Sequence, residues 1–205
     1  MLEIHPITLA GRVVRLEPLS TAHIPALTIA GNDDSIWRFM RYGLIRSEAQ
    51  MAGLVQHLLE AQTRGTDLPF AVVHLDTGQA IGMTRYLNIE PENRSLEIGG
   101  TWYAVPYQRT AVNTECKLLL LRHAFETLGC VRVQIKTDLR NERSQAAIAA
   151  LGAVREGVLR NHMILPDGTL RDSVFYSILP EEWPAVKTRL TARLARLMTF
   201  GDRPG

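Results

Sequence analysis

The stretch WYAVPYQRTAVNTECKLLLLR, residues 102–122, decides the fold. It predicts a strand that runs into Pro106, a short loop, and then a long helix. The first N–H groups of a helix have no partner within it, and with the helix dipole they form a site for phosphate. Because backbone groups hold the phosphate, the loop needs small residues more than charged ones. The residues predicted to form this phosphate loop are Gln108, Arg109, Thr110, Ala111, Val112 and Asn113.

The same stretch has a simpler interpretation. It is then an ordinary connection between a strand and a helix, capped by Asn113 or Thr114, that binds no ligand. Connections of this kind are common in many folds, so the loop by itself favours the simpler interpretation.

The sequence on either side predicts one mixed sheet. Upstream, Ser20 and Ser47 cap two helices, and the runs 70–75, 80–89 and 95–104 form an antiparallel meander. Downstream, periodicity predicts a helix over 114–128, a strand from 131 to 136, a helix over 141–151, paired strands at 153–165 and 170–179, and a helix over 180–198. One mixed sheet with helices on both faces is the simplest packing of this order.

Composition excludes several classes of protein. The 205 residues carry 23 Lys and Arg against 21 Asp and Glu, a net charge of +2, which argues against a nucleic-acid binder. No apolar run approaches the ~20 residues of a membrane span, and because residues 1–12 lack a basic region followed by an apolar one, we expect no signal peptide. Cys116 and Cys130 predict neither a zinc site nor a disulfide framework. We therefore expect one domain over 1–205, in the cytoplasm, with no metal.

Two segments resemble a known family. The segments YQRTAVNTECKLLLLRHAFETLGCVRVQIKTDLRNERSQAAIAALGA (107–153) and GVLRNHMILPDGTLRDSVFYSIL (157–179) resemble the GNAT superfamily of N-acetyltransferases, in its RimJ/RimL-like branch. The similarity covers about residues 8–190. Relatives usually carry Gly where this chain has Arg109 and Ala111, and often Gly or Ala at Asn113, which bears on coenzyme affinity.

The resemblance implies an α/β (α+β) acyl-CoA N-acyltransferase fold with a mostly antiparallel sheet. Two central parallel strands are splayed, one ending near Tyr103 and the other starting near Val131, with acetyl-CoA in the gap between them. The pair Gly99–Gly100 marks either a bulge in the first of these strands or simple packing room.

The resemblance also implies the residues that bind acetyl-CoA as co-substrate. Asn141 would hold the pantetheine arm and Ser144 would approach the sulfur, although both could simply cap a helix. A backbone N–H near Trp102 or Tyr103 could polarise the thioester carbonyl. The full predicted set is Trp102, Tyr103, Val105, Gln108, Arg109, Thr110, Ala111, Val112, Asn113, Thr114, Asn141 and Ser144.

Two residues are predicted as the general base. Glu97 lies in an apolar strand, and poor hydration raises the pKa of a carboxylate; alternatively it is an exposed strand residue or the partner of a buried Arg. His162 is the second choice, and its alternative is a surface or hydrogen-bonded strand histidine.

Together these features predict an N-acetyltransferase in which a primary amine attacks acetyl-CoA directly within a ternary complex. The acceptor is a protein N-terminus or a small amine, bound between segments 32–46 and 160–173, where Arg171 and Asp172 form either a turn-stabilising pair or an acceptor contact. The alternative is a CoA-binding sensor of the same fold that has lost catalysis. An RNA-associated protein is a third hypothesis, which the weak net charge disfavours. Homodimerisation is expected from the family alone.

Overall fold

A computed structural model describes residues 2–201 and places eight strands in one sheet. The strands are β1 (Leu9–Ala10), β2 (Val14–Pro18), β3 (Leu68–His74), β4 (Ala80–Glu90), β5 (Ser95–Tyr103), β6 (Arg132–Asp138), β7 (Val154–Ile164) and β8 (Leu170–Ile178). The helices are α1 (Ile24–Ala30), α2 (Asp34–Trp37), α3 (Glu48–Thr63), α4 (Ala111–Arg122), α5 (Glu142–Leu151) and α6 (Trp183–Gly201). None of the described helices is long and apolar enough to cross a bilayer.

The strands lie in the order β1-β2-β3-β4-β5-β6-β8-β7. Each neighbouring pair is antiparallel except β5 and β6, which are parallel. The predicted meander and the mostly antiparallel mixed sheet are therefore confirmed.

Helices cover both faces of the sheet, as predicted. The face that we call the α4 face carries Ile98 and Val133, which pack into the larger apolar cluster with residues of α4, α5 and α6. The opposite face, the α3 face, carries Val73 and Met83 beneath residues of α1 and α3. Because side chains alternate along a strand, Glu97 of β5 lies on the α3 face.

Strands β5 and β6 are splayed. They pair only over residues 95–97 and 132–134, and then diverge towards their carboxyl ends. The predicted splayed pair is thus confirmed, and a gap opens beyond Glu97.

A bulge lies in β5 just beyond this point. Gly100 and Thr101 together lie opposite the single residue Thr84 of β4. Gly100 has a φ of +58°, a conformation that glycine adopts without steric cost. Of the two interpretations of Gly99–Gly100, the structure supports the bulge.

Helix α4 begins earlier than predicted. Its N-cap is Thr110, whose Oγ1 accepts a hydrogen bond from the amide of Val112 at 3.3 Å. The predicted caps, Asn113 and Thr114, lie inside the first turns instead, so the prediction of the cap was wrong. The hydroxyl of Thr110 precedes both in the chain and already satisfies an amide of the first turn.

Candidate active site

The carboxyl ends of β5 and β6 meet the amino ends of α4 and α5 at one edge of the sheet. Strand β5 ends at Tyr103 and leads into α4, and β6 ends at Asp138 and leads into α5. Gln108 links the two connections, because its Nε2 donates to the carbonyl of Tyr103 at 3.0 Å and its Oε1 accepts from Nη2 of Arg143 at 2.8 Å. The gap between the strands therefore opens between two helix amino ends, the position at which open α/β sheets bind ligands.

The amino end of α4 presents free backbone donors. Within residues 2–201, the amides of Arg109, Thr110, Ala111 and Asn113 donate to no acceptor, whereas that of Val112 is capped. The dipole of a 12-residue helix adds positive potential at this end. These donors fit a diphosphate group such as that of CoA.

Arg109 occupies a backbone position suited to glycine. Its φ is +64°, which costs a non-glycine residue roughly 1 kcal/mol, and its side chain is exposed. Ala111 lies in the first turn of α4 with an ordinary helical backbone, so it needs no glycine there. Arginine in place of glycine at position 109 therefore strains the backbone of the loop, but its exposed side chain does not occupy the space inside the loop.

Three other residues predicted at the coenzyme site turn their side chains elsewhere. Val112 and Thr114 are buried, so they could contribute only through the backbone. Oδ1 of Asn113 accepts a hydrogen bond from the hydroxyl of Tyr103 at 3.2 Å, and burial raises the pKa of that tyrosine.

The remaining residues predicted on the β5 side have different surroundings. Trp102 is buried on the α3 face and its ring lies 5.0 Å from that of Trp37. Val105 is exposed in the turn Val105–Tyr107 that leads towards α4. Any role of Trp102 in carbonyl polarisation would therefore use its backbone N–H.

At the amino end of α5, Asn141 is the N-cap. Its Oδ1 accepts a hydrogen bond from the amide of Ser144 at 3.0 Å, so the capping interpretation of Asn141 is confirmed. In the described part of the chain, Nδ2 of Asn141 and the hydroxyl of Ser144 have no hydrogen-bond partner. Both groups remain available at the α5 side of the gap.

Glu97 lies at the closed end of the gap. It is 2% exposed, and its Oε2 accepts hydrogen bonds from Nζ of Lys136 at 2.7 Å and from Nε2 of Gln134 and Nδ2 of Asn88, each at 2.9 Å. The surroundings of this carboxylate are therefore polar, not the apolar pocket that we expected, and the buried cation is a lysine. Oε1 accepts no hydrogen bond from residues 2–201, and a Cβ at Gly99 would lie 3.0 Å from it.

His162 lies on the same face, three strands further along the sheet. Its Nδ1 is 3.0 Å from Oγ of Ser173, and its ring meets that of Phe175 edge-on at 5.2 Å. Nζ of Lys136 lies 5.8 Å from the centre of the same phenylalanine ring, which places the lysine between His162 and Glu97. Burial lowers the pKa of His162, and nearby cations lower it further. Both effects favour the neutral imidazole.

The two segments predicted to form the acceptor pocket meet on this face. Nη1 of Arg171, from β8, donates to the carbonyl of Phe39 at 3.4 Å, and its Nε is 4.0 Å from Oδ2 of Asp138. Asp172 instead accepts from the amide of Asn161 at 2.7 Å. The interpretation of Arg171 and Asp172 as a turn-stabilising pair was therefore wrong, because adjacent strand residues face opposite ways.

Three cations at the site, two of them buried and Lys136 largely so, do not follow from the sequence pattern. Lys136 alternates with apolar residues as an exposed strand residue would, and Lys117 lies on a helix between Cys116 and four leucines. Arg85 gives the only sequence signal, a single charge inside the apolar strand AIGMTRYLNI. Nζ of Lys117 donates to Oγ1 of Thr101, beside the bulge, at 3.1 Å, and burial lowers the pKa of this lysine to about 8.

Comparison with known proteins identifies the family. A profile of the acetyltransferase (GNAT) domain matches residues 14–154, and the chain belongs to this family of acyltransferases. A solved structure described as a "putative acetyltransferase", from T. thermophilus, is 44% identical, covers 94% of this chain and 100% of its own, and superposes with a TM-score of 0.85.

One curated relative supports the RimJ/RimL-like branch, and a further solved structure shares the fold. "Putative ribosomal N-acetyltransferase YdaF" of Bacillus subtilis (strain 168) is 34% identical over 110 residues, which are 54% of this chain and 59% of YdaF itself. The structure of Mycobacterium smegmatis RimJ in complex with CoA-disulfide is 24% identical, covers 92% of each chain, and shares the fold with a TM-score of 0.75. The predicted family is confirmed.

Proposed function

We propose that this protein transfers the acetyl group of acetyl-CoA to a primary amine, by direct attack within a ternary complex. The observation that carries the proposal is the gap between β5 and β6, which opens beyond Glu97 between the amino ends of α4 and α5. We also propose that residues 1–205 act as one acetyltransferase domain. The cytoplasmic location and the homodimer stay predictions.

The coenzyme would enter along the edge where the two helices begin. Its diphosphate would accept hydrogen bonds from the amides of Arg109 to Asn113, which, apart from the capped amide of Val112, lack acceptors in the described chain. Its pantetheine arm would lie in the gap, with Nδ2 of Asn141 as a donor and Ser144 beside the sulfur. This arrangement uses mainly hydrogen-bonding groups that have no hydrogen-bond partner among the described residues.

The amine would approach from the α3 face, where both predicted bases lie. Its lone pair forms the new N–C bond, and the carbonyl oxygen takes up negative charge that a backbone N–H of β5 can stabilise. The C–S bond then breaks, and the hydroxyl of Ser144 donates a hydrogen bond to the departing thiolate. Holding both substrates in line can supply on the order of 7–11 kcal/mol of the barrier, because the reaction becomes effectively unimolecular.

Glu97 is the better candidate to accept the amine proton. It lies at the closed end of the gap, and its Oε1 has no donor within the described residues. His162 lies further from the gap, beyond β6 and β8, and its Nδ1 is engaged with Ser173. We therefore propose Glu97 as the base and His162 as a secondary residue of the acceptor face.

The acceptor is a protein N-terminus or a small amine. The name of YdaF points to a ribosomal substrate for that relative, which supports the protein N-terminus without deciding it. The test is incubation with acetyl-CoA and a panel of small amines, amino acids and N-terminal peptides, with mass spectrometry of the amines and an assay of released thiol. One acetylated amine per thiol supports the proposal. Tight CoA binding with no acetylated product across the panel would support the sensor instead.

A further inference from the structure

Arg85 is a buried cation with unsatisfied donors. Its side chain, on β4, is 3% exposed, and its Nε and Nη1 have no hydrogen-bond partner in residues 2–201. Oδ2 of Asp67 lies 3.2 Å from Nη1, but the contact lacks the geometry of a hydrogen bond. Asp67 therefore balances the charge of Arg85 without satisfying its N–H groups.

Such a group is costly to the fold. Each buried donor without an acceptor costs roughly 1–3 kcal/mol, and more when the group is charged. An apolar side chain of similar length at this strand position would leave no unsatisfied donors, so the ion pair with Asp67 does not by itself explain why these donors are retained. Donors of this kind fit a ligand whose oxygens complete them.

The guanidinium lies over the bulge of β5. A Cβ on Gly100 would lie 3.0 Å from Nε of Arg85 and 3.1 Å from the hydroxyl of Tyr42. The guanidinium carbon is also 5.8 Å from the centre of the Tyr42 ring. The absence of a side chain at Gly100 thus lets Arg85 and Tyr42 converge beside the gap, on the α3 face.

A second unsatisfied donor lies on the same face. Nε1 of Trp102 is buried and has no hydrogen-bond partner in the described chain. Trp102 is the register partner of Met83, which is two residues from Arg85 on β4. Donors from Arg85 and Trp102 therefore flank the bulge on the side from which the amine would approach.

We propose that Arg85 binds a carboxylate on the acceptor, so that the substrate is an amine that also carries a carboxylate. This inference rests on the proposed acetyl transfer. The planar fork of a guanidinium matches the two oxygens of a carboxylate, which can accept from adjacent N–H groups at once. Two further cations lie close to Tyr42 and the segment before it. Nη1 of Arg171 donates to the carbonyl of Phe39, and the guanidinium carbon of Arg41 is 5.9 Å from the centre of the Tyr42 ring. A carboxylate bound here would anchor the acceptor while its amine reaches the thioester.

The carboxylate could be that of a free amino acid or the side chain of an acidic first residue in a peptide. The test measures kcat/KM for matched acceptors: L-alanine against L-alaninamide, and Asp-Ala-amide against Asn-Ala-amide. The wild-type enzyme should prefer the carboxylate in at least one pair, and the pair that shows the preference identifies the source. Arg85→Gln should reduce that preference by roughly 10- to 100-fold, with the uncharged acceptor changed less than about threefold.

Three further variants separate recognition from folding. Arg85→Gln with Asp67→Asn removes both charges, so it controls for the carboxylate that the single variant leaves without its cation. Arg85→Lys should restore part of the preference, and Arg64→Gln, at an exposed position that ends α3, should retain all of it. Calorimetry should show unchanged CoA binding in every variant.

The outcomes distinguish this inference from the proposed function. Two results would overturn the role of Arg85 and leave acetyl transfer standing. One is turnover without any carboxylate preference. The other is an equal loss of kcat/KM on both members of a pair, in Arg85→Gln and in the double variant. Either result would indicate that water accepts the hydrogen bonds of the guanidinium. No turnover on any amine would overturn both.

Discussion

Nζ of Lys136 lies 2.7 Å from Oε2 of Glu97, across the point at which β5 and β6 diverge. The two side chains come from adjacent parallel strands and are both largely buried, so the ion pair fixes the closed end of the gap. It also orients the carboxylate, leaving Oε1 towards Gly99 without a donor among the described residues.

Glu97→Gln should separate charge from shape at this position. The amide cannot accept the amine proton, so kcat should fall by roughly 10²- to 10⁴-fold. It also leaves Lys136 buried without a carboxylate, which should lower the free energy of unfolding by about 3 kcal/mol. Steady-state kinetics and urea unfolding measure the two effects.

The double variant Glu97→Gln with Lys136→Met is the control. It removes the buried lysine charge as well, so stability should recover while activity stays low. Recovery of activity together with stability would show that Glu97 acts only through the fold.

Asn113→Asp should weaken CoA binding without harming the fold. The added negative charge would lie in the first turn of α4, whose amides would hold the diphosphate, so it would repel the diphosphate at short range, and we expect the Kd for CoA to rise about tenfold or more. The same charge interacts favourably with the amino end of α4, so thermal stability should be equal or slightly higher. Calorimetry and thermal unfolding check both, with Asn113→Ser as the uncharged control. An unchanged Kd would mean that the diphosphate binds elsewhere.

Ser144→Ala should affect chemistry more than binding. The hydroxyl has no partner among residues 2–201, so its removal leaves no buried group unsatisfied. We expect kcat to fall about tenfold, with the Kd for CoA changed less than about twofold. The opposite pattern, a large change in Kd with kcat preserved, would make Ser144 a binding residue.

Lys117→Met should stabilise the protein in a pH-dependent way. Burial lowers the pKa of Lys117 from 10.5 to about 8, so the folded protein disfavours the charged form. The wild-type protein therefore loses stability as pH falls from 10.5 towards 8, and the loss is complete below that range. At pH 7 the variant should be more stable by about 3 kcal/mol.

The same comparison at pH 10 provides the check. There the wild-type lysine is largely neutral, so the difference in the free energy of unfolding should shrink to about 1 kcal/mol or less. A difference of the same size at both pH values would show that packing, not charge, decides the effect.

Much of the fold could be predicted from the sequence because its signals are local. The meander follows from alternation and short turns, and Ser47 caps α3 through a hydrogen bond from the amide of Gln50, as predicted. The start of α4 was misplaced because Thr110, Asn113 and Thr114 are all good caps. The backbone conformation of Arg109, which the sequence does not reveal, sets the chain direction just before the first of them.

The candidate site was predicted only in part, because its side chains depend on strand register. Local pattern placed Glu97 in the strand that leads to the loop and Asn141 at a helix start, and the gap itself came from the family resemblance. The pairing of Glu97 with Lys136 and the position of Arg85 over Gly100 depend on which strands are neighbours and where β5 bulges. Those relationships arise between segments distant in the chain, so periodicity within one segment cannot reveal them.

The most direct test of the account is a crystal structure of the protein with acetyl-CoA. We predict the diphosphate within hydrogen-bond distance of the amides of Arg109 to Asn113, the pantetheine arm between β5 and β6, and the thioester facing the α3 face near Glu97. Acetyl-CoA bound away from this gap, or no binding at millimolar concentration, would contradict the central claim.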